Sequence, residues 1–377
     1  MTKENDKELF GQEGLGQEKK QEEKPKKEGK KEEKFLPGMG VDVGTSNIVV
    51  TRMTTDNVFV HKTHRDMLFQ LDASDESEDL ITRSSYLCVK TKEKFYVVGE
   101  DALSIARAIN RSEDIVRPMQ RGMLNPSLET SSELLFFIIK ALCGDPIVEK
   151  EPLRFSIPAN PANGEMDNRF HQMVLKSFFD KLGYDAKPVI EGMALCYDCN
   201  PILKEEDENE VGMSGIGASF GGGMINVSLL FRGLELDSFS IVKSGDEIDT
   251  RTSAVTGIPL ANVIRAKEKK LDLTSIDTTD RVQNALSIFY DEMIERVVKT
   301  IGKNFKDKKS ELEGKIEVVV GGGTSLCKGF IPRLEEGFKK FPIPFDILRV
   351  RHSKTPFFSV SSGACIRARA DVERLKK

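Results

Sequence analysis

An α/β fold made of a duplicated unit, with a cleft between the copies, is what this chain predicts, on three observations. Two blocks, one opening near residue 40 and one near residue 215, each read as strand, glycine-rich turn and strand, with helices following later. Strand-type and helix-type apolar patterns are mixed along the whole chain. The 377 residues exceed what one hydrophobic core normally supports, so two domains are expected. A crevice between two such lobes is where a ligand is expected.

The composition narrows the function. A net charge of −4 carries no bias toward nucleic acid or a membrane surface. No run of about eighteen apolar residues is present, so no transmembrane segment is expected. The opening "MTKENDKELFGQEGLGQEKK" lacks the apolar core of a secretory signal. Six cysteines without regular spacing point to reduced thiols and a cytoplasmic location. Cys196 and Cys199 form a C-x-x-C on an expected helix, but no second pair completes a zinc site, and they read as structural thiols.

Residues 1–34 hold ten lysines and ten acids with few apolar groups, so this tail is expected to be disordered. It is a solvated spacer or a docking arm for an adaptor protein. Order begins at Gly40–Thr51, a strand, a Gly-Thr-Ser turn and a second strand. "FYVVGEDALSIARAI" gives a strand and short helix, and "SELLFFIIKALCG" an apolar helix. "LRFSIPA" is a strand leading toward a helix on which Phe170, Val174, Phe178 and Leu182 recur at helical spacing, with Gly183 as its stop. "AKPVIEGMALCYD" turns from strand to helix. After the charged loop "KEEDENE" and the second glycine hairpin comes a helical region, 248–306. There Val282, Leu286, Phe289, Met293, Val297 and Ile301 form one core-facing stripe.

Three glycine-rich turns carry the chemistry. In "VDVGTSN", Gly44 permits a tight turn, and Thr45, Ser46 and Asn47 offer backbone N–H groups and short polar side chains to an anion. Asp42, on the strand before it, is placed to hold hydrated magnesium. In "SFGGGMIN", Gly221, Gly222 and Gly223 form the second turn. In "VVVGGGTSLCKGF", Gly321, Gly322, Gly323 and Thr324 let backbone approach a base or ribose. One such turn is ordinary punctuation; three, each after a strand-type run and spread over two lobes, point to a nucleotide.

These segments resemble the actin, sugar-kinase and heat-shock-70 superfamily over about residues 38–370. "GVDVGTSNIVV" is similar to the first phosphate loop and "VVVGGGTSLCKGF" to the adenosine motif. "IEGMALCYD" resembles the first connecting helix, with Glu191 at its acidic position and Gly192 where proline is usual. "VKSGDEIDTR" resembles the Gly-Asp-x-x-Asp element. "YVVGEDAL" and "RPMQRGML" are similar to bacterial actins of the MreB group and its magnetosome relative MamK. The resemblance implies an actin-like fold: two RNase H-like domains, four subdomains, around a nucleotide cleft. Domain I would be 35–185 plus 345–377 (small subdomain about 67–125), and domain II 186–344 (small subdomain about 245–305). It also implies ATP or ADP with Mg²⁺, and head-to-tail self-assembly into cytoskeletal filaments. The cellular role would be cell shape or the positioning of an organelle such as the magnetosome.

One departure qualifies the chemistry. The family's second phosphate loop has aspartate before Gly-Gly-Gly and threonine after it; here Ser219 and Met224 stand there. Asp246 and Asp249 belong to another element, and their substituting for it is not assumed. A lost carboxylate beside the metal predicts at most a slow ATPase. The water-positioning residue is left open among Glu165, Asp167 and His171; the two acids also read simply as helix-start residues favoured by the dipole. Glu165, Asp167 and Glu191 are the catalytic candidates. Two other readings stand beside the main one: a non-polymerising actin-fold adaptor, and a small-molecule kinase of the same superfamily.

Overall fold

The first hairpin sets the pattern for the whole molecule. In the computed structural model, which describes residues 34–124, 131–164, 168–199, 203–204, 210–312 and 314–375, β1 (Phe35–Val43) turns into antiparallel β2 (Asn47–Thr54), and β3 (Phe59–Arg65) follows. The charged tail expected to be disordered lies, Lys34 apart, outside the described residues.

A small subdomain is then inserted. It comprises β4 (Leu68–Asp72), α1 (Asp75–Ser84), β5 (Cys88–Lys90), β6 (Lys94–Val98), α2 (Glu100–Ala108) and β7 (Ile115–Val116), with sheet order β5-β6-β4-β7. α1 starts on a true cap: the Ser77 amide donates to Ser74 Oγ, and Asp75, Glu76 and Glu78 fill the first turn. A two-stranded ribbon, β8 (Met119–Gln120) and β9 (Met123–Leu124), leads to α3 (Ser131–Cys143). β10 (Pro152–Ile157), α4 (Arg169–Lys181) and β11 (Asp185–Ile190) complete the first large sheet, in the order β11-β10-β1-β2-β3.

α5 (Glu191–Cys199) crosses to the second lobe, past the short pair β12 (Leu203–Lys204) and β13 (Glu210–Val211). There β14 (Gly215–Phe220), β15 (Met224–Phe231) and β16 (Leu234–Val242) repeat the antiparallel meander. α6 (Gly245–Thr256), α7 (Leu260–Lys269) and α8 (Arg281–Asn304) form a helical insertion. β17 (Lys315–Gly321), α9 (Phe330–Lys340) and β18 (Asp346–His352) close a sheet of order β16-β15-β14-β17-β18, and α10 (Ser359–Leu375) ends the described chain. Both large sheets thus run third, second, first, fourth, fifth strand, with the fourth and fifth parallel to the first. The predicted duplication is present.

Sheet membership moves two of the expected domain boundaries. β11 pairs with β10, so the first sheet extends to Ile190 rather than ending at 185. β18 pairs with β17, so the chain stays with the second sheet through His352 and rejoins the first lobe only in α10, not at 345. Among the described residues, α5 and α10 pass between the lobes. They touch closely: a Cβ on Gly363 would lie 1.7 Å from the Ala194 carbonyl oxygen.

Each lobe has its own core. Val41, Leu135, Phe155, Leu175 and Phe179 pack in the first; Val227, Phe289, Met293, Val297 and Val318 pack in the second. The α8 stripe is buried from Leu286 to Ile301, only Val282 lying at its edge. Each fully buried residue of that size contributes roughly 1.5–3 kcal/mol. On α4 the buried line is His171, Leu175 and Phe179, one residue later than expected, while Phe170 is 71% exposed. A third cluster joins Phe69, Val97 and Ile105 of the inserted subdomain to Ala261 and Ile264 of α7, bringing the two insertions into contact.

Candidate functional site

The β1–β2 and β14–β15 turns face one another along a cleft of about 620 Å³. Their backbones are closed alike. The Gly44 amide donates to the Asn47 carbonyl at 3.1 Å, and the Gly221 amide to the Met224 carbonyl at 3.0 Å. Val43 pairs with Ile48 and Phe220 with Ile225 at the corresponding strand ends. The turns also abut: a Cβ on Gly222 would stand 2.1 Å from Ser46 Oγ, and one on Gly223 2.4 Å from Thr45 Oγ1. Only residues without side chains permit that approach. Thr45 Oγ1 further accepts from the Gly122 amide at 2.9 Å, tying in the "RPMQRGML" segment.

Asp42 and Glu191 lie at the cleft floor. Ser156 Oγ donates to Asp42 at 2.7 Å and accepts from the Val43 amide at 3.0 Å. Burial pushes the Asp42 carboxyl up to about 6, with the Ser156 hydrogen bond opposing. Burial and then the Asp42 charge push Glu191 up to about 8, against the Asn226 and Ser219 side chains. Ser219 is buried and its hydroxyl donates to Glu191 Oε2 at 3.3 Å, so the residue in the aspartate position supports the neighbouring carboxyl. Met224, in the threonine position, is buried, with its side chain against Gly122.

The third turn is tied to the second. Thr324 Oγ1 and Ser244 Oγ both donate to the Gly221 carbonyl, at 2.8 and 2.7 Å. Gly322 takes a positive φ of 89°, and its amide donates to the Pro356 carbonyl at 2.7 Å. Gly322, Gly323 and Thr324 line the cleft. Gly321 does not; it packs behind, where a Cβ would meet Leu195 at 2.5 Å. Asp42, Gly44, Thr45, Ser46, Asn47, Glu191, Gly221, Gly222 and Gly223 line it. Glu165 and Asp167 lie outside the described residues. His171 is in the α4 core, 2% exposed, where Nδ1 accepts from the Leu124 amide at 3.4 Å and burial lowers it to about 4.

Several groups in the cleft escape a sequence reading. The Asp246 amide donates to the Gly222 carbonyl at 2.8 Å, and a Cβ on Gly222 would lie 3.1 Å from Asp246 Oδ1, so α6 brings a carboxylate to the second turn. Sequence spacing hides this, because 24 positions separate the two residues in the chain. That carboxylate meets Arg117 at 3.0 Å. Lys267 donates to Asp249 at 2.5 Å and to the Gly245 carbonyl at 3.1 Å. Arg65 binds both oxygens of Glu268 across the cleft mouth, at 3.1 and 2.9 Å.

A family model described as Volactin matches residues 38–368. The chain belongs to the Volactin family. No curated protein sequence matches it. Among solved structures, MreB5 of Spiroplasma citri bound to AMPPNP aligns with this Volactin-family chain at a TM-score of 0.63 and 14% identity, covering 90% of this chain and 98% of that one. The same protein bound to ADP aligns at 0.61 and 13%, with the same coverage. These similarities show the fold, which is actin-like, with two similarly wound large sheets flanking the cleft.

The cleft fits a nucleotide with a divalent cation on two counts. Glycines at 222 and 223 bring two backbone turns together where a side chain would block them. Two carboxyls held against their tendency to ionise make a donor set suited to a hard cation that keeps waters and takes phosphate oxygens. Among the described residues no group of three or more His, Cys, Asp and Glu has metal-binding geometry. Cys196 and Cys199 are buried, and burial drives both thiols up, Cys199 to about 12, as for structural thiols. No helix among the described residues is long and apolar enough to cross a membrane.

Proposed function

We propose that this Volactin-family protein is a cytoskeletal actin-like protein that binds ATP or ADP with Mg²⁺ in the cleft and assembles head-to-tail into filaments. The observation that carries the reading is the pair of glycine turns, one from each lobe, meeting over the Asp42–Glu191 floor. The MreB5 structures that share the fold were determined with ADP and AMPPNP, which supports the same ligand class here.

In this reading the Gly44–Asn47 and Gly221–Gly223 backbones cradle phosphates, while the third turn at Gly322–Thr324 approaches the nucleoside. Asp42 and Glu191 hold the cation directly or through water. Bound Mg²⁺ would neutralise phosphate charge and polarise the terminal phosphoryl group. Ser219 orients Glu191 by hydrogen bond and brings no charge of its own. Asp246 is already paired with Arg117. Hydrolysis is therefore slow. A heterologous contact that does not close on itself extends such a protomer into an open polymer.

The test is sedimentation with Mg·ATP, Mg·ADP and no nucleotide, run beside phosphate release. The expected result is polymer with Mg·ATP and phosphate release that trails assembly. A chain that gives neither polymer nor nucleotide binding across salt and temperature rules the reading out.

A further inference from the structure

Neither turn over the cleft floor carries a cation: Gly44–Asn47 and Phe220–Met224 contain no lysine or arginine. A triphosphate brings several negative charges, and backbone N–H groups oppose them with partial charges only. Among the described residues five basic side chains line the cleft: Arg65, Arg117, Lys267, Lys269 and Lys328. Arg65 is held by Glu268 and Glu100, Lys267 by Asp249, and Lys328 by Asp272. Among the described contacts, only Arg117 reaches a phosphate-loop side chain.

Arg117 Nη1 stands 3.3 Å from Ser46 Oγ on the first turn and 3.0 Å from Asp246 Oδ1, whose backbone holds the second turn. Ser46 Oγ is itself 3.4 Å from the same carboxylate oxygen. A Cβ on Gly222 would fall 3.1 Å from that oxygen, so the guanidinium sits where the two turns converge. The segment that follows it is anchored twice. The Met119 amide donates to buried Asp66 at 3.1 Å, and the Gly122 amide to Thr45 at 2.9 Å. The Arg117 side chain is 19% exposed, which favours charge-assisted bonds over hydration.

We propose that Arg117 is a phosphate-binding side chain that exchanges Asp246 for the terminal phosphate of a nucleoside triphosphate. A planar guanidinium suits a phosphate as well as it suits a carboxylate. The Arg117–Asp246 pair also joins the first lobe's insertion to α6 of the second lobe, so the exchange ties that bridge to the number of phosphates bound. This rests on the nucleotide reading of the cleft and adds to it a residue that tells triphosphate from diphosphate.

The experiment is calorimetric titration of the full chain with Mg·AMPPNP and with Mg·ADP. Arg117→Gln should weaken Mg·AMPPNP about tenfold or more while moving Mg·ADP by less than about threefold. Arg117→Lys should recover part of the loss, and Asp246→Asn, which releases the guanidinium, should tighten Mg·AMPPNP. Equal losses for both nucleotides in Arg117→Gln would make the role structural and overturn the proposal. So would unchanged affinities, or an Asp246→Asn protein weakened as much as Arg117→Gln. A wild-type chain that binds neither nucleotide overturns the reading of the cleft itself, a result distinct from wild-type binding without Arg117 selectivity.

Discussion

The two turns that face each other across the cleft have one backbone and two chemistries. Each is closed by the same amide-to-carbonyl bond between its first and fourth residues, and each joins strands in the same register. Asp42 and Ser219 occupy the same place, two residues before the first turn glycine, Asp42 opposite Val49 and Ser219 opposite Asn226. The first lobe thus carries its acid on the strand. The second lobe receives one from α6, where Asp246 is already engaged by Arg117. Hydrogen-bond geometry and glycine placement preserve a fold through duplication, whereas a side chain's charge is free to be moved to another element.

The likeness extends behind the turns, and there the largest effects are expected. A Cβ on Gly40 in β1 would stand 2.0 and 2.3 Å from backbone atoms of Ser361 and Cys365 in α10. A Cβ on Gly217 in β14 would stand 2.3 Å from Cys196 Sγ and 2.6 Å from the Gly192 carbonyl in α5. Each first strand is therefore pressed by one of the two crossing helices, and Gly363 lets those helices press each other. Gly363→Ala should cost at least ~4 kcal/mol, or leave no soluble protein, because only backbone can yield at a 1.7 Å approach. Gly40→Ala should cost about 3 kcal/mol. Gly217→Ala should cost less, because its nearest obstacle is a thiol that can turn. Chemical denaturation of the three variants gives the order; equal losses at 40 and 217 would show that the two crossing contacts yield alike.

Local features were legible in the sequence. The glycine turns and the α8 stripe follow from residues within one turn or one helix, so spacing alone finds them. The α4 face was misplaced because apolar residues are doubled: Val174 with Leu175, and Phe178 with Phe179, support two adjacent stripes equally. Packing against the first sheet chooses the later one. The Arg117–Asp246 contact spans 129 positions and depends on how two insertions fold over the cleft, which no local pattern encodes. The boundary at β18 was missed for a similar reason, since a parallel strand reveals its sheet only through its neighbour.

A smaller difference between the lobes lies in the histidine buried in the first. His171 is held neutral by desolvation, its value lowered to about 4 from the ordinary 6.5. The unfolded chain therefore binds this proton first as pH falls. The stability tied to neutral His171 is complete above pH ~6.5 and is lost as pH drops toward ~4, amounting to about 2 kcal/mol by pH 5. His171→Asn, which keeps an acceptor for the Leu124 amide, should flatten denaturation midpoints between pH 6.5 and 5 by that amount. An unchanged acid limb would mean that the imidazole is protonated in the folded protein.

The smallest effect comes from making the second turn resemble the first. Ser219→Asp places a third carboxyl beside Asp42 and Glu191, where burial already holds both above their ordinary values and the Asp42 charge raises Glu191 further. Without a divalent cation the new charge should cost about 1 kcal/mol near pH 8, because the hydroxyl that donated to Glu191 is replaced by an acceptor. With Mg·ADP the sign should reverse, since three carboxyls hold a hard cation better than two and ligand binding to the folded state adds stability. Thermal melts with and without Mg·ADP measure both arms. If the cost persists unchanged when Mg·ADP is added, the two turns are equivalent in backbone alone, and the cation is not held over the Asp42–Glu191 floor.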